Sequence, residues 1–502
     1  MNDTSMNGRS TKESSIAFEL VELPKKENKP IRGGRIKSAD ELRPRLKGKR
    51  FIFTVAQNNT RLHEGFWKTL TYMQKKLKAK LCVGKLSYNK NGWQKITTES
   101  EGLWYDDRIV PFVQDYQVKV ADDLVFCGEL DILPTMQYPL TGLDNYTGPN
   151  SAIIPHPKMQ MKSLATMKDQ FPKLLYTTGT CTLRNYIQRR AGQIADYHHV
   201  YGALYVEIAE DGAWFARQLN ADDEGVVYDL ENVWGPGWTK PASTFGRPFI
   251  NLGDIHVEKQ DAQQTLGAID LVQTLNPEKI FVHDLLDMMS RNHHNLKDLH
   301  FLVGMKHRTV QADVYMAANW LDKWSKQFEN TDFYVIRSNH DQALGRWIKN
   351  GSGFMDPVNA RYWHELNATC LTAIENGQKN FDVFAYALNV ERPLLNVMGK
   401  RINFVQEDES VIFRGIEFGM HGHLGPNGAR GNPLGFKQLG RRANTGHTHS
   451  AGILDGVWTA GVLGSLDMGY NVGPSSWSCS HIITYPNGKR QIVTQRGKRW
   501  RA

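Results

Sequence analysis

A chain of 502 residues is too long for one domain of ~100–200 residues and implies two or three. With 40% hydrophobic and 10% aromatic residues, it can fill ordinary cores, which excludes a wholly disordered, collagen-like or low-complexity protein. No apolar run approaches the ~18 residues of a membrane span, and the first twenty residues are polar, so a cytoplasmic protein with no membrane partner is expected.

The five cysteines stand singly, with no C-x-x-C pair, which predicts reduced structural thiols. The net charge of +9 is uneven: residues 1–50 carry 13 basic and 7 acidic residues, residues 489–502 carry 6 basic and none acidic, and the remainder is slightly acidic. Two basic ends suit arms lying along a polyanion such as nucleic acid, or tails that merely aid solubility.

Residues 1–48 are rich in Lys, Arg, Ser, Asn and Gly and broken by Pro24, Pro30 and Pro44, which predicts a flexible basic arm. An α/β domain is expected over 49–245. It opens with a buried strand at 51–55, a Lys-rich helix at 63–80 and a second strand at 79–83. Later, apolar runs at 203–208 and 213–216 flank Glu210-Asp211-Gly212, the pattern of a β-hairpin. The stretch Trp234-Gly235-Pro236-Gly237-Trp238 reads as a junction.

A second α/β unit, 246–488, begins with Pro248-Phe249-Ile250-Asn251-Leu252. Val310, Val314, Ala317, Leu321, Trp324 and Phe328 recur every three or four residues and predict one helix over 309–328. Strands are expected at 279–283, 332–337 and 411–418, and a basic tail at 489–502.

Chemistry concentrates in the second unit, where thirteen of seventeen histidines follow residue 250. Several directly follow expected strands: Gly253-Asp254-Ile255-His256, His283-Asp284-Leu285-Leu286-Asp287, Ser338-Asn339-His340-Asp341, His421-Gly422-His423 and Gly446-His447-Thr448-His449. Strand ends of an open α/β sheet share one crevice, and residues at i and i+2 of an extended segment point the same way. Carboxylate, imidazole and carboxamide together suit Mn²⁺, Fe²⁺ or Zn²⁺.

In this order the motifs resemble the five of the calcineurin-like metallophosphoesterases: D-x-H, G-D-x-x-D, G-N-H-[DE], a lone H, and G-H-x-H. The resemblance covers about residues 248–485. It implies a four-layer α/β/β/α sandwich with two divalent ions, Mn²⁺ first among Mg²⁺, Fe²⁺ and Zn²⁺. Carried over by motif, Asp254, His256 and His449 would hold one ion and Asn339, His421 and His447 the other. Asp284 would bridge them, and His340 would be the catalytic non-ligand histidine. The usual glycine before the bridging Asp is His283 here, and that before the Asn is Ser338.

Other residues leave alternatives open. His423 either touches substrate or makes a supporting hydrogen bond, and Asp287 orients His256 or caps a helix. Arg430, Lys437, Arg441 and Arg442, in and after a Gly/Pro-rich loop at 425–433, would surround the metal crevice and hold flanking phosphates, or be solvated charges. The pairs His198-His199 and His293-His294 are read as ordinary surface or packing residues, Cys181 as a structural thiol and Trp477 as core or rim packing.

The motifs depart from the phosphoprotein phosphatases, whose G-D-x-V-D-R-G is His283-Asp284-Leu285-Leu286-Asp287-Met288-Met289 here. The 82 residues between Asn339 and His421 and the basic ends resemble the nuclease branch of the Mre/SbcD type. The terminal segment 466–490 is similar to phage-encoded members implicated in host-DNA degradation. The implied partner is DNA, with homo-oligomerisation expected by analogy alone. Two alternatives remain: a phosphodiesterase or phosphatase acting on small phosphate esters, and a nucleic-acid-binding or assembly scaffold.

Overall fold

The computed structural model describes residues 43–88, 103–292, 298–393 and 401–502. It is a mixed α/β protein whose core is a six-stranded sheet in the order Ile402–Val405, Asp332–Ile336, Lys279–Val282, Phe249–Asn251, Ser480–Thr484, Arg490–Thr494. The first four strands are parallel and the last two antiparallel. Lys279–Val282 is almost wholly apolar because it is covered on both faces.

On one face Ile280, Val282 and Phe333 pack with Leu271 and Val272 of the helix Ala262–Leu275 and with Val314 and Leu321 of Val310–Gln327. On the other, Phe249 and Phe281 meet Ile416 and Phe418, the Phe281 and Phe418 rings stacking at 4.3 Å. That second face belongs to a ten-stranded sheet, giving the layer order helix, sheet, sheet.

The helix Val310–Gln327 starts where its sequence dictates. Thr309 accepts the Ala312 N–H at 3.1 Å, a side-chain cap, and the apolar stripe is buried. The expected strand over 411–418 is instead a hairpin of Ile412–Phe413 and Ile416–Glu417. Arg414 and Gly415 between them both have positive φ, 52° and 70°, the demand of a two-residue hairpin turn. The expected junction at 234–238 is likewise a hairpin turn, between Asn232–Gly235 and Trp238–Pro241. Pro236 and Gly237, the latter at φ 84°, suit its two central positions.

The N-terminal stretch opens as expected, with Arg50–Gln57 and Lys80–Leu86 parallel around the helix Glu64–Leu77. Gly202–Ile208 and Trp214–Asn220 form the expected hairpin and join them in a four-stranded sheet. The chain does not part into two bodies near residue 245. The ten-stranded sheet takes five strands from before that point and five from after it, Met161–Leu164 lying beside Gly452–Leu454.

Both basic ends need correction. Folded structure begins before residue 49: Leu46 is buried and donates its backbone N–H to the Lys119 carbonyl, whose own N–H donates to the Pro44 carbonyl, while the rest of the expected arm, 1–42, lies outside the described residues. The expected tail is the sheet's last strand, Arg490–Thr494, and then a packed terminus. Trp500 is 1% exposed and donates to Asp270 at 2.7 Å. Arg496 stacks on Phe171 at 3.6 Å, and Arg499 and Arg501 pair with Asp211 and Glu231. Ile492 and Val493 anchor the strand, and Arg490, Arg496, Arg499 and Arg501 find partners inside the fold.

All five cysteines are free, and burial pushes the Cys181 thiol up to about 12, as expected of an inert structural thiol. Among the described residues no helix is long and apolar enough to cross a membrane.

Burial also holds the imidazoles of His156 and His481 down to about 4 and that of His199 to about 3. Unfolded histidines take up protons below ~6.5. Stability is therefore full above that pH and lost as pH falls towards the folded values, by roughly 1.4 kcal/mol per pH unit for each imidazole. The thermal midpoint should drop steeply between pH 7.5 and 5; a flat profile would mean these rings are not buried neutral.

Candidate metal centre

Each chemical segment leaves the carboxyl end of a strand. Asp254 and His256 follow Phe249–Asn251, Asp284 follows Lys279–Val282, Asn339 and His340 follow Asp332–Ile336, His421 follows Ile416–Glu417, and His447 and His449 follow Arg442–Thr445. The two facing sheets thus deliver their loops to one edge. Four of these residues, His256, Asp284, His447 and His449, have positive φ of 43–75°. That conformation costs roughly 1–2 kcal/mol for an L residue and persists where the surroundings over-determine it.

Among the described residues three donor groups result, His256, Asp287 and His340 forming one and the other two sharing Asp284. Asp254, His256, Asp284 and His449 each place one ligand atom within a common 4.8 Å, and so do Asp284, His421 and His447. In the first, His256 Nε2 and His449 Nε2 face each other at 3.0 Å, and Asp254 Oδ2 lies 3.1 Å from His449 Nε2. Asp284 Oδ2 is 3.7 Å from His256 Nε2 and, on its other side, 3.3 Å from His421 Nε2. Asn339 Oδ1 joins the second group 3.1 Å from His421 Nε2. Ligands ~2.1 Å from one ion lie ~3.0–3.4 Å apart, a range that all these separations match except the 3.7 Å between Asp284 Oδ2 and His256 Nε2. The seven residues named from the sequence come together in these two groups, and one oxygen of Asp284 faces both.

Support for this set was only partly legible in sequence. Asp287, expected to orient His256 or cap a helix, does the former and more: its Oδ1 lies 3.3 Å from His256 Nδ1 and 3.2 Å from His340 Nδ1. Against the cost of burial, hydrogen bonds from His256 and His340 hold its carboxyl well below the usual range. Lys259 reaches its other oxygen at 3.0 Å. Burial opposes charge on His340, but Asp284 and the Asp287 hydrogen bond outweigh it and raise His340 to about 9. The His340 backbone N–H also points at Asp284 Oδ1, 3.4 Å away.

The two departures from the family motifs are accommodated. Ser338 donates to Asp341 Oδ2 at 2.9 Å, and Asp341 Oδ1 accepts the Leu286 N–H at 2.9 Å, so the serine ties two ligand loops together. His283 is fully buried, held neutral by burial at about 4, and sits 3.5 Å from Asn251 Nδ2.

Trp477 was read as packing, and it does pack, but on a ligand: its ring meets His449 at 4.2 Å. Tyr470 stacks towards His340 at 6.3 Å, so residues 466–477 wall the centre with aromatic rings.

The predicted substrate groups divide. His423 stands beside the centre, 5.3 Å from the His421 ring, but turns Nε2 to Glu407 at 3.0 Å. Arg430 is exposed on a loop tied back to His423 by the Gly431 N–H at 2.9 Å. Lys437, Arg441 and Arg442 do not surround the metal crevice; they line a separate cavity whose walls include none of the ligands. Arg442 begins the strand that His447 follows, so the intervening strand carries them to its opposite end. His198 lines that same cavity, His199 packs against Tyr186, and His293 and His294 lie outside the described residues.

Close packing makes one glycine indispensable. A Cβ at Gly446 would stand 2.2 Å from Asp254 Oδ1. Gly446→Ala should displace that ligand and weaken metal binding about 10- to 100-fold, the scale seen when a ligand loses its support. Competition against a fluorescent chelator reads this directly, and unchanged affinity would show that Asp254 is not a ligand.

No family model matches the sequence, and no solved structure matches the fold. Among curated proteins the chain is similar to Protein A1 of Escherichia phage T5, 39% identical over 500 residues that span 95% of this chain and 87% of the relative. Similarity of that extent places the chain in the family of this phage protein.

Proposed function

We propose that the protein is a metal-dependent phosphodiesterase of the calcineurin-like metallophosphoesterase type, phage-encoded, which cuts DNA in the host cytoplasm using two divalent ions, Mn²⁺ first among them. The observation that carries this reading is the pair of buried donor groups sharing Asp284 Oδ2. The helix, sheet, sheet layering and the phage relative support it.

When bound, such a pair of ions clamps a phosphate and lowers the pKa of water towards neutrality. Asp254, His256, His449 and Asp284 would hold the first, and Asn339, His421, His447 and Asp284 the second. The chain's own residues supply the rest. Asp287 accepts from His256 Nδ1, which fixes the ring with Nε2 turned into the donor group. The same carboxylate lies 3.2 Å from His340 Nδ1 and favours the charged ring, placed to protonate the leaving oxygen as the phosphodiester breaks. Tyr470 and Trp477 wall off bulk water on that side.

Digestion of linear and circular DNA, single- and double-stranded, with Mn²⁺, Mg²⁺ or EDTA tests the proposal. Cleavage should require metal and fall roughly 10²- to 10⁴-fold in His340→Ala, the range for losing a positioned acid. Intact DNA alongside hydrolysis of bis-p-nitrophenyl phosphate would move the substrate to small esters. Turnover of neither would leave a scaffold.

A further inference from the structure

A second site lies away from the metals. A cavity of about 600 Å³ is walled by both halves of the chain, and seven of its twenty-one lining residues are Lys or Arg against a single carboxylate, Asp455. That carboxylate is already neutralised, ion-paired to Lys158 at the cavity floor and 3.5 Å from Lys437. Of the remaining cations, Arg490 is spent on the Ala443 and Gly456 carbonyls and Arg442 reaches the Gly488 carbonyl at 3.4 Å, which leaves Arg184, Arg441 and Lys489. Arg184 is the better placed, 3.7 Å from Asp196. Neither the exposed Arg441 guanidinium nor the half-buried Lys489 ammonium has a hydrogen-bond or ion-pair partner among the described residues. Asp222 and Asp223 act on Lys489 only through space, opposed by Arg442 and Arg184.

Like charges gathered in a recess raise its potential and oppose folding unless an anion enters. At the rim, Tyr197 leaves 81% of its surface in solvent. An exposed ring beside a cationic groove is what unpaired bases stack on.

We propose that this cleft binds one strand of nucleic acid, with Arg441, Lys489 and Arg184 holding backbone phosphates and Tyr197 stacking a base. The inference rests on the DNA reading of the metal centre and adds where the strand is gripped. Arg442, at the cleft, begins the strand Arg442–Thr445 and His447, in the donor group, follows its end, so the two are at most roughly 16 Å apart along five residues at ~3.3 Å each. That is at most about five nucleotides at the ~3.4 Å spacing of a helical strand. A substrate held there enters the metal centre at a fixed distance from its grip.

The test is fluorescence anisotropy of labelled oligothymidylate and of a matching duplex, in EDTA so that nothing is cut, across about 50–200 mM salt. The full-length chain should prefer the single strand. Arg441→Ala should lower the slope of log K against log salt by about 0.7, and Arg441→Ala with Lys489→Ala by about 1.4, at ~0.7 per phosphate contact. Tyr197→Ala should weaken single-strand binding about 5- to 150-fold, the range for one stacked base, with its slope unchanged.

Variants matching wild type in affinity and slope would overturn the cleft alone. A wild-type chain that binds no DNA would overturn the DNA reading with it. Displacement of the oligonucleotide by millimolar inorganic phosphate at constant ionic strength would overturn a strand site in favour of a small-anion one.

Discussion

Asp284→Ala should empty both ion sites at once. Its carboxylate is 1% exposed, and one oxygen, Oδ2, lies 3.7 Å from His256 Nε2 and 3.3 Å from His421 Nε2. Among the described His, Cys, Asp and Glu residues, no other belongs to both of these donor groups. Removing it costs each ion a charged ligand and leaves three imidazoles, those of His421, His340 and His256, without the carboxylate that faces them. The expected metal content falls from two ions per chain to fewer than one. Hydrolysis of any phosphodiester should fall roughly 10³-fold or more, since two-metal clamping is worth several kcal/mol of transition-state stabilisation. Asp284→Asn keeps the shape and one oxygen donor while losing the charge, so it should fall between wild type and alanine. Equal metal content and equal turnover in Asp284→Ala would remove the carboxylate from the centre altogether.

Deleting residues 489–502 should destroy the fold rather than trim an arm. The segment is the edge strand of the six-stranded sheet and closes the core with Ile492, Val493 and Trp500, each about 1% exposed. Burying side chains of this size is worth ~1.5–3 kcal/mol each. The loss is a large share of the ~5–15 kcal/mol that holds a domain together.

Hydrogen bonds would go too. Gln491 spans to the Gln218 carbonyl and to Asp229, and the Asn220 amide donates to the Arg490 carbonyl. The truncated chain should be recovered as aggregate, or show no cooperative unfolding by circular dichroism. A soluble, cooperatively folding truncation would restore the tail reading.

The convergence of the donor residues was legible because the resemblance carries the motifs over one by one, and the strands that precede them are short apolar runs. What sequence could not show was tertiary. Glutamine, arginine and tryptophan in 489–502 look like a polar tail until Arg490 is seen inside, donating to the Ala443 and Gly456 carbonyls. Arg441 and Arg442 sit close in sequence to His447, yet a strand between them carries the two ends apart. The double duty of Asp287 depends on His256 and His340 converging from different strands, and no spacing records that. Positive φ at His256, Asp284, His447 and His449 is equally silent, since none of the four is glycine.

The binuclear centre is most directly tested by crystals soaked in Mn²⁺, with anomalous difference density located against the protein. Two peaks about 3.5–4 Å apart, one on each side of Asp284, are the expected result. A single peak, or density confined to sites that do not touch Asp284, would contradict it.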